Sequence, residues 1–215
     1  YGLPFISGKD SLNNEYLGSD GKKHAIPPSL LISGIGIIDD VFDIVTMDLK
    51  TEGSMIYLLG ETRDEMGGSH FHLVQGGGGN EPAPDLPKFA PALYQCLNKA
   101  MGKGLVLACH DLSEGGLAVA AAEMCIAGRM GMLLDLDEND TTLALFGESN
   151  SRFLVEVESK NAIAFEQCFT GGMGNYARRL GNTVSGRRLT VSTLDESLLS
   201  LSVEDLVKAW KGNVK

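Results

Sequence analysis

Four short clusters in the chain combine residue types that could do chemistry. Ser7-Gly8-Lys9-Asp10-Ser11 follows an expected apolar strand. There a glycine lets a ligand approach the backbone, a lysine neutralises phosphate, a carboxylate holds a divalent metal and a hydroxyl completes its shell. The cluster lacks the upstream glycine and following helix of a P-loop, and a polar turn explains the same residues. Glu65-Met66-Gly67-Gly68-Ser69 offers paired glycines whose backbone N–H groups could face a phosphate, with a tight loop as the alternative. His70 and His72 follow, and in a strand they would share a face and could bind metal.

The third cluster, His110-Asp111-Leu112-Ser113-Glu114-Gly115-Gly116, lies between an expected buried strand and an expected buried helix. Open sheets bind ligands at such junctions, and Ser113 is placed to cap the helix. His110 and Asp111 are neighbours in a strand and should point to opposite faces, so adjacency alone implies no relay. The fourth, Phe146-Gly147-Glu148-Ser149-Asn150-Ser151-Arg152, sets a carboxylate, an amide and a guanidinium at a strand entrance, where a hairpin loop accounts for them equally well.

The elements that must position these clusters follow from periodicity. A polar loop over 13–25 leads to a strand over 29–38, in which Gly34 and Gly36 share a face and imply a close neighbour. A strand over 54–59 opens the main domain. Leu86, Phe89, Leu93, Leu97 and Ala100 have helical spacing over 85–101, with Gly102 as the stop. The four glycines of 76–79 read as a flexible connector. A buried strand is expected over 105–109 and a buried helix over 116–127. Further expectations are a strand over 152–158, a helix over 162–168, a strand over 189–192 and a last helix opened by Ser202. The mixture predicts an α+β (α/β sandwich) fold, with a mixed sheet and packed helices.

Composition narrows the function. The chain has 215 residues and 28 acidic against 18 basic ones, a formal charge of −10, and its basic residues form only isolated pairs. Such a surface repels nucleic acid and anionic membrane, so neither is expected as a partner. There is no apolar run long enough for a helical span and no signal-peptide pattern. Cys96, Cys109, Cys125 and Cys168 are widely spaced, which suits a reducing compartment and predicts a cytoplasmic protein. Tyr1 opens inside an apolar run, and the expectation is a piece of something longer.

Taken in order, Gly-Lys-Asp-Ser-Leu-Asn-Asn-Glu, Ile-Pro-Pro-Ser-Leu-Leu-Ile-Ser, Leu-Gly-Glu-Thr with Met-Gly-Gly-Ser, His-Asp-Leu-Ser-Glu-Gly-Gly-Leu and Gly-Glu-Ser-Asn-Ser-Arg-Phe-Leu-Val-Glu-Val resemble the phosphoribosylformylglycinamidine synthase family across nearly the whole chain. The resemblance is to the C-terminal part of the synthetase subunit or domain, which has tandem copies of the aminoimidazole ribonucleotide synthetase-like architecture. It implies that residues 1–45 finish a second N-type, β-rich domain and that 46–215 form the second C-type domain. The implied reaction is ATP-dependent: formylglycinamide ribonucleotide is phosphorylated on its formamide oxygen, and ammonia from glutamine displaces phosphate to give the amidine.

The implied cofactors are ATP and Mg²⁺. The implied partners are the remainder of the synthase chain, a glutaminase subunit or domain and a small bridging subunit. On the same resemblance Gly8 and Lys9 bind ATP and Ser11 meets substrate. Many relatives have Ser-Gly-Asn-Val-Ser where this chain has Ser7-Gly8-Lys9-Asp10-Ser11, which moves the metal carboxylate to Asp10. Gly67, Gly68, Ser69, His110, Asp111, Ser113, Gly115 and Gly116 become candidate phosphate or nucleotide loops. The general base is expected in a preceding half, so the chain by itself is expected to be inactive. The alternatives are other members of the same ATP-binding superfamily, of the selenophosphate synthetase, hydrogenase-maturation or thiamine-phosphate kinase type, and a non-catalytic nucleotide-binding or assembly domain.

Overall fold

The computed structural model describes residues 2–9, 14–27, 29–78, 80–137, 140–194 and 196–212. The chain divides into two units, Tyr1–Phe42 and Asp43–Lys215.

In the first unit the regular structure is an antiparallel hairpin, β1 (Glu15–Leu17) and β2 (Lys23–Ala25), followed by a 3-10 turn at Val41–Asp43 that reaches the unit boundary. The segment read as a polar loop therefore contains this hairpin. Its strands are tied by Lys23 to Glu15 at 2.5 Å, and its turn by His24 to Asp20 at 3.0 Å. The apolar residues before Ser7 and the run 29–38, both expected as strands, have no strand assignment, and nothing lies within 4 Å of a Cβ built on Gly34 or Gly36. A strand needs a neighbour to take its backbone hydrogen bonds, and no described residue pairs with either. Leu31 stands 92% exposed and Ile37 93%.

The second unit is built on a seven-stranded mixed sheet in the order β4-β6-β3-β7-β5-β8-β9. Its strands are β3 (Met55–Leu59), β4 (Ala108–Asp111), β5 (Gly131–Asp135), β6 (Phe153–Val157), β7 (Ala177–Val184), β8 (Arg188–Ser192) and β9 (Ser197–Ser202). All neighbours are antiparallel except β5 and β8. The helices are α1 (His70–Gln75), α2 (Ala90–Gly102), α3 (Gly116–Gly128), α4 (Thr141–Phe146), α5 (Ala162–Glu166) and α6 (Val203–Lys211).

Alternation along β3 divides the core. Ile56 and Leu58 join one cluster with Leu117, Ala121 and Met124 of α3, Ala144 of α4 and Val203 of α6. Tyr57 and Leu59 join the other with Leu93 and Leu97 of α2 and Phe165 of α5. The period of two thus feeds both faces of one sheet, the arrangement expected of a strand covered by helices on each side.

Several boundaries differ from the sequence expectation. Helix α2 begins at Ala90, with a proline in its first turn, rather than at 85. Pro87 disfavours helical backbone at Leu86, and 81–87 has no helix assignment. Strand β4 starts at Ala108 rather than 105, although Val106 is still buried in the core. Strand β7 was not anticipated. Its sequence ARRLGNTV buries only Leu180 and Thr183, too few apolar positions to show an alternation. Strands β5 and β9 and helices α1 and α4 were also missed.

Candidate functional site

Register brings the chemistry-bearing loops to one end of the sheet. Leu59 pairs with Phe153 and with Ala177, and Asp111 pairs with Phe153, so the ends of β3 and β4 meet the starts of β6 and β7. From this edge project 60–69, 111–116 and 147–152. Two cavities lie there. One, of about 370 Å³, is lined by Thr62, Asp137, Asp140 and Arg178 among others. The other, of about 490 Å³, is lined by Tyr94, Asp111, Ser113, Glu114, Glu148 and Arg152 among others.

The fourth cluster holds the edge together. Arg152 is 1% exposed. Its guanidinium donates to Ser149 O at 3.2 Å, to Thr62 Oγ1 at 2.9 Å and to Gly147 O. Ser149, also buried, accepts the Arg63 N–H at 2.9 Å and donates to Arg63 O at 3.2 Å. The loop that could have been an ordinary hairpin turn is therefore pinned to the end of β3. Tyr94 Oη lies 2.8 Å from Ser151 Oγ, which ties α2 to the same loop.

Glu148 links the second and third clusters. Its Oε1 accepts the Gly115 N–H at 2.7 Å and the His70 N–H at 2.9 Å, and His70 Nδ1 lies 3.6 Å away. The carboxylate thus sits before the first turn of α3, where the helix dipole favours negative charge. Gly115 and Gly116 are buried. The Gly116 N–H is taken by Ser113 O at 3.1 Å, and the Gly67 N–H by Pro82 O at 2.9 Å. Gly116 has φ +62, and a Cβ there would lie 2.4 Å from Gly147 O. Its lack of a side chain serves packing of the chain against itself. Gly68, by contrast, is exposed at φ +76, with nothing within 4 Å of a built Cβ.

Four expectations are corrected. His70 and His72 belong to helix α1, not a strand, and face separate carboxylates: Glu148 for His70, and Glu81 at 3.4 Å from His72 Nε2. Among the described residues no group of three or more His, Cys, Asp or Glu could hold a metal ion. Ser113 is not the cap of α3. Gly115 occupies that position with a left-handed backbone and no side-chain bond, because the turn needs positive φ twice in succession. His110 and Asp111 do meet, Nδ1 to Oδ1 at 3.3 Å, since β4 ends at Asp111 and the alternation ends with it. His110 Nε2 is 2.8 Å from Glu123 of α3, so the ring bridges strand and helix between two acids. The glycine run is likewise more than a connector: Gly76 is the left-handed cap of α1, and the Gly77 N–H reaches His72 O at 2.9 Å.

Ser69 caps α1 by accepting the His72 N–H at 3.4 Å. Gly8 and Lys9, in the first unit, are exposed, and nothing lies within 4 Å of a Cβ on Gly8. Asp10 and Ser11 fall outside the described residues. Burial pushes the Cys109 thiol up to about 12, helped by the Asp111 charge, and does the same for Cys125, so neither offers a thiolate nucleophile near neutral pH. Sequence reading missed Thr62, Tyr94 and the anchoring roles of Glu148 and Arg152. The one available signal was a Glu and an Arg flanking a short polar loop directly before an apolar strand.

A mixed sheet with helices on both faces, carrying glycine loops and cavities at one edge, defines an α/β sandwich domain. Residues 51–193 match the family model described as AIR synthase related protein, C-terminal domain, and the chain belongs to that family. It is 37% identical, over 210 residues and 97% of its length, to phosphoribosylformylglycinamidine synthase subunit PurL of Lactobacillus acidophilus, of which it spans 26%.

Among solved structures, Thermotoga maritima PurL complexed with FGAR matches with a TM-score of 0.65 at 17% identity, covering 78% of this chain and 30% of that one. E. coli HypE, a hydrogenase maturation protein, matches with a TM-score of 0.54 at 16% identity, covering 74% of this chain and 51% of that one. These structural likenesses establish the fold, a mixed seven-stranded sheet with packed helices like that of PurL. No helix among the described residues is long and apolar enough to cross a membrane.

Proposed function

We propose that this chain is part of an ATP-dependent phosphoribosylformylglycinamidine synthase, contributing the C-terminal strands of an N-type domain (1–45) and a C-type domain (46–215). The observation that carries the reading is the 37% identity to a PurL subunit, which extends over 97% of the chain and so through both structural units. In the reaction the formamide oxygen of formylglycinamide ribonucleotide takes the terminal phosphoryl group of ATP. Ammonia then adds to the activated carbon and inorganic phosphate leaves, giving the amidine and ADP. A glutaminase subunit or domain would supply the ammonia.

Within this chain Gly8 and Lys9 are the proposed ATP contacts and Ser11 the substrate contact, with Asp10 as carboxylate to Mg²⁺. Among the described residues no group of three or more His, Cys, Asp or Glu could hold a metal ion. In the C-type domain the positions left to meet a ligand are the exposed Gly68, Asp111, Ser113 and Glu114, because the Gly67, Gly115 and Gly116 amides are bonded internally.

The test compares the 215-residue chain with the full-length chain that contains it, each given formylglycinamide ribonucleotide, ATP, Mg²⁺ and ammonia. The full chain should form the amidine and this portion should not. Absence of product from the full chain would overturn the synthase reading, and turnover by the portion alone would overturn its assignment as a contributing part. A second reading, a hydrogenase-maturation-type relative, is supported by the likeness to HypE in fold, and inactivity of the full chain would favour it.

A further inference from the structure

The junction between the two glycine loops has the ingredients of a phosphate cradle, namely consecutive glycines, backbone N–H groups and the start of a 13-residue helix. Its geometry does not fit a phosphate. The Glu148 carboxylate, 14% exposed, already receives the two N–H groups that converge there, at 2.7 Å from Gly115 and 2.9 Å from His70. Gly115 is buried beneath it, and the next amide, Gly116, is spent on Ser113 O at 3.1 Å. We infer that Glu148 is the resident anion of this junction, and that it bars phosphate from the Gly115 amide while clasping the 66–70 loop to the start of α3.

A carboxylate and a phosphate oxygen compete for the same donors. The loop that carries the carboxylate is held by Arg152, whose guanidinium bonds Ser149 O and Gly147 O on either side of Glu148. A free anion must displace a ligand whose local concentration is set by this short loop, and it must enter a site that already carries negative charge. The inference concerns the domain alone and goes beyond the synthase reading. It predicts that these loops do not hold a nucleotide phosphate through Gly115, whatever the parent chain catalyses.

The test is an amide-resolved NMR titration of the 215-residue chain with inorganic phosphate at constant ionic strength, on the native sequence and on Glu148→Ala and Glu148→Gln. In the native chain the Gly115 and His70 amide resonances should stay in place. In E148A they should move together and saturate, with a phosphate Kd at least roughly tenfold below that of the native chain. In E148Q, which keeps an acceptor but not the charge, the Gly115 amide should shift upfield and exchange faster without added phosphate. Saturable movement of both amides in the native chain would overturn the inference, as would their indifference to phosphate in a folded E148A. If E148A does not fold, the native titration and the E148Q amide shift still decide it: an unshifted Gly115 amide in E148Q contradicts the clasp.

Discussion

Arg152 Nη1 donates to Thr62 Oγ1 at 2.9 Å, joining residues 90 positions apart at the loop edge of the sheet. Thr62 lines one cavity and Arg152 the other, so this pair connects the walls of both. The guanidinium also satisfies carbonyls of Gly147 and Ser149 that would otherwise be buried without donors.

Replacing Arg152 by methionine should therefore cost about 3 kcal/mol, since roughly 1–3 kcal/mol attends each buried polar group left unsatisfied. Urea denaturation should show the midpoint lowered with an unchanged slope, because the denatured state gains no new exposure. Thr62→Val, which removes one acceptor and keeps the shape, should cost about 1 kcal/mol.

The two kinds of glycine in the loops should respond differently to alanine. Gly116→Ala meets both a positive φ and a backbone oxygen at 2.4 Å, so it should destabilise by more than about 2 kcal/mol. Gly68→Ala meets open space at φ +76 and should cost only about 1 kcal/mol, the conformational part alone. Thermal unfolding of both variants checks the order, and equal losses would contradict the packing role given to Gly116.

The buried thiols make stability depend on alkaline pH. Cys109 and Cys125 are raised from 9.0 to about 12 in the folded chain, so both states hold the proton below pH 9 and the full contribution is present there. Above pH 9 the unfolded chain releases protons that the folded chain keeps. Stability should then fall by about 1.4 kcal/mol per pH unit for each thiol until the folded values are reached. Urea midpoints measured from pH 8 to 10.5 in the native chain and in the Cys109→Ala, Cys125→Ala pair test this. The pair should flatten the decline. Alkylation at neutral pH should likewise spare both cysteines until the chain unfolds.

Glu156 faces the α3 side of β6 and accepts the Lys50 N–H at 2.8 Å and the Thr51 N–H at 2.9 Å. It fastens the lead-in segment before β3 across more than 100 residues of chain. Glu156→Ala should free both amides, cost about 2–4 kcal/mol, and speed hydrogen exchange at Lys50 and Thr51 before it does so elsewhere. Glu156→Gln should retain part of the protection.

Long periodic elements were legible in the sequence. Helix α3 was read within one residue at its end, because a stretch of small and apolar residues broken only by Glu123 and bounded by glycines has few alternatives. Strands β3, β6 and β8 each came within a residue or two, because apolar residues cluster or alternate along them. The polar strand β7 and the hairpin of 15–25 were not, since neither shows a hydrophobic period and pairing alone makes them strands. The run 29–38 failed in the opposite direction: it has the pattern of a strand and no described partner for its backbone.

The candidate site divides in the same way. Amino-acid order alone determined which loops carry glycine and polar groups, where the apolar strands over 54–59 and 152–158 run, and the resemblance that the family match then bore out. Local chemistry and periodicity suffice for these. Tertiary structure alone decided that Glu148 would take the Gly115 and His70 amides and that Arg152 would reach Thr62. Those donors and acceptors are brought together by sheet register and by the exclusion of water from the loop edge. Neither leaves a pattern in neighbouring residues, so a loop that reads as a phosphate cradle can close on a carboxylate of its own chain.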